Sequence, residues 1–490
     1  MSFRLADIKK TVRSRGDGER YVHPKLLDAA ALEGQVGLAL AYFHARLGRK
    51  RRDFEPELLV RFFGEPKVAR GLVACLGSAY RWRAQSFADV LEPRDLVRLG
   101  LRDIHSPSSL RLHLFDAVNR DADGFLSGEP EIALLPLARR LGLSVPKLEQ
   151  LFTLDAEENA VLVRVGDVPE PGLLVAHYNF QVVQALIRNC AFLEFPEITD
   201  LGRRAIIDAC RLYDVELVEQ LGGVRVLNRS DSFGNFARWG RRVARALYTA
   251  ASVAPSLLTT GRARLAVGGK PAWYLFDRKT QSSLTAGSGV IHCALPLPEL
   301  TDLLQRRRPA GGMRGRQLLA MPEPLVSAAG PAIAQYAVRS GECEILLWPV
   351  LSHVDIAAVQ ALHNVDVPVL ALQLPACIAP LPTDIAAVDW ETGLTGIMAA
   401  LDQHWGGGRV DAGAQALEGL LSELESRGFI PEMQVSEALG CGSLDELPGR
   451  LRALDAEQGR FIPGLGLCSP SFAEAMRHGL RKTSRPKPAA

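Results

Sequence analysis

The chain has 490 residues, of which 47% are apolar, and a net charge of only +2. That is enough chain for about three domains with cores of their own. Met1 to Arg20 has no apolar leader segment, and no run approaches the roughly 18 apolar residues of a membrane helix, so neither secretion nor membrane spanning is expected. The eight cysteines are scattered, without a C-x-x-C pair, which speaks against a zinc ribbon or a disulfide scaffold. A reduced, cytoplasmic protein is the expectation. The small net charge conceals a split. Residues 1–111 carry 21 Lys and Arg against 13 Asp and Glu, residues 201–280 carry 14 against 6, and residues 317–475 carry 6 against 20. A basic front and middle joined to an acidic rear suits a polyanion-binding half coupled to a protein-binding half, although ordinary solvated faces produce the same counts.

Along the chain, residues 20–150 read as mostly helical, with apolar spacing through Leu38 to Phe43 and again through Leu58, Leu59, Phe62 and Phe63. Arg49-Lys50-Arg51-Arg52 falls in a loop between two helices. Ala160 to Val163 reads as a strand, Asn179 to Phe192 as a helix, Arg203 to Val218 as another, and Gly223 to Leu227 as a strand. Phe236 to Ala251 is a basic helix on which Arg238, Arg241, Arg242 and Arg245 share one face, a pattern suited to phosphate binding or to simple exposure. Arg262 to Val267 and Ala272 to Phe276 form a hairpin across Gly268-Gly269. The arginine-rich stretch from Arg306 to Arg316 has linker composition. Beyond it, Glu344 to Trp348, Val354 to His363 and Val367 to Gln373 read as strand, helix, strand, which favours a parallel pair. Three short helices are expected within 411–475, followed by a basic, Pro-rich, disordered tail at 481–490. The fold class is therefore α/β and multidomain: a helical region 1–155, a basic α+β region 156–300, an α/β region 317–405 and a helical module 411–475.

Several motifs are incomplete. Asn119, Asp121, Asp123 and Gly124 begin like a calcium loop, but Pro130 stands where the bidentate carboxylate belongs, so an Asp-Gly turn is the better reading. There is no Walker loop, no dinucleotide-binding glycine pattern and no nucleophile elbow. His177 and His353 are read as structural.

The most telling string is His177-Tyr178-Asn179-Phe180-Gln181-Val182-Val183-Gln184. It resembles the Tyr-Asn…Gln segment of the family catalogued as domain of unknown function number 790, whose archaeal members bind the XPB helicase and cut structured DNA. Gly71 to Leu76, Leu110 to Phe115 and the stretch Ser230-Asp231-Ser232-Phe233 with Phe236 to Gly240 resemble further family segments in the family's order, over about residues 1–280. In the last stretch a Gly-Pro is missing and Trp239 replaces a tyrosine. The resemblance implies a ferredoxin-like middle domain that contacts helicase or DNA, followed by a nuclease domain of the PD-(D/E)XK kind. The family's metal-binding Asp, Glu and Lys are missing here. Gln335 stands at the Asp position, Leu346 at the Glu position, and the helix from Val354 to His363 has no Lys or Arg. A two-residue shift leaves Glu344 as the only candidate catalytic carboxylate. The expectation is a degenerate nuclease site with no cofactor, Mg²⁺ or Mn²⁺ entering only if an active endonuclease draws carboxylates from Asp208, Asp214, Glu216 or Glu344. The expected partners are an XPB-type helicase and forked or bubble DNA, with Arg238, Arg241, Arg242 and Arg245 on the DNA and Tyr178, Asn179 and Gln184 as a polar cluster. A protein-only scaffold is the third reading.

Overall fold

A computed structural model of the chain describes residues 3–16, 18–100, 102, 104, 106–121, 130–164, 168–229, 237–295, 316–340, 343–374 and shorter stretches between 381 and 472. The described residues form a mixed α/β protein with several sheets. Two compact units interleave along the chain: one takes residues 1–46, 55–81 and 164–401, the other 47–54, 82–163 and 402–490. The stretch 1–155 is thus shared between both units. Among the described residues, no helix is long and apolar enough to cross a membrane.

The first unit is built on a seven-stranded sheet. Its order is Lys10–Ser14, Arg20–Pro24, Lys270–Leu275, Arg262–Val267, Cys190–Phe195, Gly223–Leu227 and Leu217–Gln220. Only the Arg20–Pro24 and Lys270–Leu275 neighbours run parallel; the other pairs are antiparallel. Two of these strands come from a front region expected to be helical. The Gly268-Gly269 turn is as expected: both residues have positive φ, 61° and 72°, as a two-residue hairpin of this twist demands.

Across one face of the sheet lies the helix Pro171–Arg188, opened by Pro171 at its first turn and buried along nearly every side from Leu174 onward. Its apolar residues Val182, Val183, Leu186 and Ile187 are fully enclosed. The sequence reading placed this helix about eight residues too late and ran it through Cys190 to Phe192, which are strand. The helix Asp200–Leu212 is shorter than expected. It is capped by Thr199 and ends before Asp214, whose left-handed φ of 52° turns the chain into the strand Leu217–Gln220. The basic helix Ala237–Val253 packs against both.

The same unit holds a five-stranded sheet in the order Arg316–Ala320, Tyr336–Ser340, Cys343–Val350, Val369–Gln373 and Ala387–Asp389. The first three are antiparallel and the last two join in parallel. The helix His353–His363 makes the crossover, as the expected strand-helix-strand order required. Trp348, Leu346, Val359, Leu362 and Ala371 form its core.

The second unit contains the helices Pro93–Gly100, Pro107–Asp121, Pro130–Leu141 and Val145–Phe152, packed around Leu99, Leu110, Leu148 and Leu151. Its C-terminal part is not purely helical. Among the described residues it holds the helix Glu432–Ala438 and a small antiparallel sheet of Phe429–Pro431, Gly466–Cys468 and Arg460–Ile462. Asn119 and Asp121 belong to the helix Pro107–Asp121. Asp123, Gly124, the residues 306–315 and the tail 481–490 lie outside the described residues.

Candidate functional site

The four arginines expected to form a phosphate-binding face have different surroundings. Arg245 is 3% exposed. Its guanidinium donates to the carbonyls of Ala334 and Pro322 and, at 3.4 Å, to Oε1 of Gln335. Burial lowers its pKa from the ordinary value, yet a guanidinium stays protonated, and here it is supplied with acceptors. A side chain so enclosed cannot reach a DNA backbone, which corrects its place in the expected face. Arg241 binds Glu323 at 3.0 Å. Arg242 pairs with the exposed Asp214 at 3.1 Å and lies over the Trp239 ring. Arg238 lies within the helix; its side chain is outside the described residues.

Glu323 is the hub that the sequence did not reveal. Besides Arg241, it accepts from Arg188 at 2.9 and 3.1 Å and from Gln184 at 3.2 Å. Gln184 also receives the hydroxyl of Tyr248 at 3.3 Å and reaches Gln181. A carboxylate shared by two arginines and an amide uses most of its lone pairs, so the network is nearly closed. It ties the helices Pro171–Arg188 and Ala237–Val253 to the segment Met321–Pro324. Only a narrow crevice remains among these side chains.

The expected polar cluster divides in two. Gln184 belongs to the Glu323 network. Asn179 clamps Leu27 through both backbone groups, at 2.8 Å each, and so fastens the segment before the helix Ala29–His44. Tyr178 is buried, with its ring edge-on to Phe3 and its hydroxyl without a partner among the described residues. A Cβ on Gly71 would come within 2.5 Å of that ring. Gly240 is tighter still, because a Cβ there would lie 1.8 Å from the carbonyl oxygen of Arg188. Two glycines of the resembling segments therefore permit close approach to the same central helix. His177, beside Gln181 at 3.3 Å, is held neutral by burial, its pKa pulled down to about 4.

The nuclease-like positions are occupied by packing and neutral polar groups. Gln335 is buried. Its amide donates to the Tyr213 hydroxyl and to the carbonyl of Ala294, while its carbonyl faces Arg245. Burial pushes the Tyr213 phenol up to about 12, so it remains protonated. Leu346 is 1% exposed and belongs to the core. Glu344 sits at the other end of the hairpin, opposite Arg339, which it binds at 2.6 Å. Three rungs separate it from the Tyr336–Leu347 pair, roughly 10 Å at about 3.3 Å per residue, so it does not adjoin Gln335. Asp208 pairs with Arg211 on an exposed helix face, and Asp214 with Arg242. Among the described residues, no three His, Cys, Asp or Glu side chains converge as metal ligands do. His353 begins the crossover helix whose first turn is closed by a Ser352–Asp355 capping box.

A scan against protein-family models finds no match for this chain, and a search of the curated proteins finds none either.

Proposed function

We propose that this protein is a DNA-processing accessory that partners an XPB-type superfamily 2 helicase, binds DNA through its basic half and does not cut it. One observation carries the reading: an antiparallel three-strand meander leads through a helix to a parallel fourth strand, while Gln335 and Leu346 occupy the positions where the nuclease pattern needs metal-binding carboxylates. We read this sheet as the nuclease-like domain that the family resemblance implies. A neutral amide committed to Tyr213 and Ala294, and a leucine in the core, offer no charge to Mg²⁺. The neighbouring sheet supports the ferredoxin-like reading of the middle region. Its elements run β-α-β-β-α-β from Cys190–Phe195 to Arg262–Val267, with the fourth strand beside the first and the third between the first and second.

The test uses the purified full chain on forked and bubble DNA with Mg²⁺ or Mn²⁺, alone and with an XPB-type helicase. Binding without cleavage is expected. Cleavage abolished by Glu344→Gln would establish an active endonuclease and refute the degenerate-site reading. Cleavage that survives the substitution would place the active site elsewhere. Binding to the helicase alone, with no affinity for DNA, would leave a protein scaffold.

A further inference from the structure

The seven-stranded sheet buries one face under helices; the other bears a different chemistry. On this second face Tyr21 pairs with Trp273, Trp273 with Arg264, Arg264 with Phe192 and Phe192 with Leu227. Directly opposed residues project to the same side of a sheet, so this rung is a row of aromatic and cationic groups from Tyr21 to Phe192, ending in Leu227. On the next rung Glu194 stands between Arg225 and Arg262.

The arginines lie over the rings. The guanidinium carbons of Arg262 and Arg264 are 4.3 and 4.5 Å from the centre of the Trp273 ring, that of Arg225 is 4.5 Å from Phe192, and that of Arg15 is 4.6 Å from Tyr21. Phe192 meets Trp273 edge-on at 5.6 Å. Two carboxylates fix the arrangement. Glu194 holds Arg225 and Arg262 at 2.5 and 2.6 Å, and Glu19 accepts from the Tyr21 hydroxyl at 2.7 Å and from the Trp273 indole at 3.1 Å. Four arginines against two carboxylates leave the face cationic, and about a third of the Arg225 and Arg262 side chains remains exposed.

We propose that this sheet face is a binding platform for single-stranded DNA, with bases laid against the arginine-covered aromatic row and phosphates taken by the guanidinium edges. The proposal rests on the DNA-processing reading and gives it a surface. A helicase makes single strands, and unpaired bases can stack on flat groups that paired bases in a duplex cannot reach. Trp273 and Tyr21 are only 6% and 8% exposed, so the guanidinium planes laid over them take the bases, each stack worth about 1–3 kcal/mol, and the excess positive charge supplies backbone attraction. An acidic protein segment would use the charge but have no planes to stack. Arg245 does not compete for this role, since backbone carbonyls enclose it.

The experiment titrates the full chain into fluorescein-labelled oligo-dT of about twenty nucleotides, long enough to cross such a platform, with a duplex of equal length and an oligo-rU alongside. Arg264→Glu is expected to weaken oligo-dT binding about tenfold or more, and Arg264→Lys by a few-fold, because lysine keeps the charge but loses the plane. Tryptophan fluorescence is expected to fall on adding oligo-dT, with the fall reduced in Trp273→Phe; this readout does not depend on the charge variant folding well. Unchanged oligo-dT affinity in folded Arg264→Glu would overturn the platform while leaving the DNA-processing reading intact, as would binding confined to duplex. Displacement by poly-glutamate at equal charge would show that the face reads charge alone and also overturn it, as would preference for oligo-rU. Absence of binding to any DNA would defeat both readings.

Discussion

Two groups of arginines in the larger unit differ in what their guanidinium planes face. On the helix Ala237–Val253, Arg245 is enclosed by carbonyls, while Arg241 shares Glu323 with Arg188 and keeps about half of its side chain exposed. Those of the sheet face, Arg225, Arg262 and Arg264, lie over aromatic rings with part of their surface in water. The first group joins elements far apart in the chain, and the second lies over aromatic side chains of one sheet. Positive charge on a periodic face therefore does not by itself mark a ligand surface, because a member such as Arg245 can be wholly enclosed by acceptors of its own chain.

The contrast can be broken most severely at Gly240. Gly240→Val places side-chain carbon against the Arg188 carbonyl, where backbone cannot yield cheaply. Urea denaturation should show a loss of about 4 kcal/mol or outright failure to fold. Arg245→Met tests the inward group directly. It strands the acceptors at Ala334, Pro322 and Gln335 and should cost about 3 kcal/mol in the same assay, with little change in DNA affinity. A small cost would mean that Arg245 is not a structural tie.

The third probe is pH. His177 titrates near pH 4 in the folded chain against an ordinary 6.5. Between those values the unfolded state binds more protons, so stability is full above pH 6.5 and falls as pH drops toward 4. The loss is up to roughly 3 kcal/mol. His177→Gln should flatten that slope in denaturation curves taken from pH 7 to pH 4. The smallest effect is expected at Arg242→Ala. Its pair with Asp214 is solvent-exposed, so stability should change by about 0.5 kcal/mol or less.

Much of the fold was legible where pattern and turn chemistry agreed. The Gly268-Gly269 hairpin and the strand-helix-strand of Cys343–Val350, His353–His363 and Val369–Gln373 follow from short-range signals. The strand Cys190–Phe195 was hidden because its apolar run continues the spacing of the preceding helix, and such a run has no period that separates strand from helix. Leu217–Gln220 was hidden because the break before it depends on Asp214 adopting a left-handed conformation. For the site, the basic face was visible but its direction was not. Glu323 is 135 residues from Arg188, and nothing local in the sequence links them. The sheet-face arginines escaped notice because the face is assembled from five strands, one of them contributed by the chain's first 24 residues.

One measurement tests the central claim most directly: the affinity of the full chain for labelled single-stranded DNA when matched pairs of arginines are removed. The account predicts that Arg225→Ala with Arg264→Ala weakens binding about tenfold or more, while Arg241→Ala with Arg242→Ala changes it less than about threefold. The reverse ranking, with the helix pair essential and the sheet pair dispensable, would contradict it.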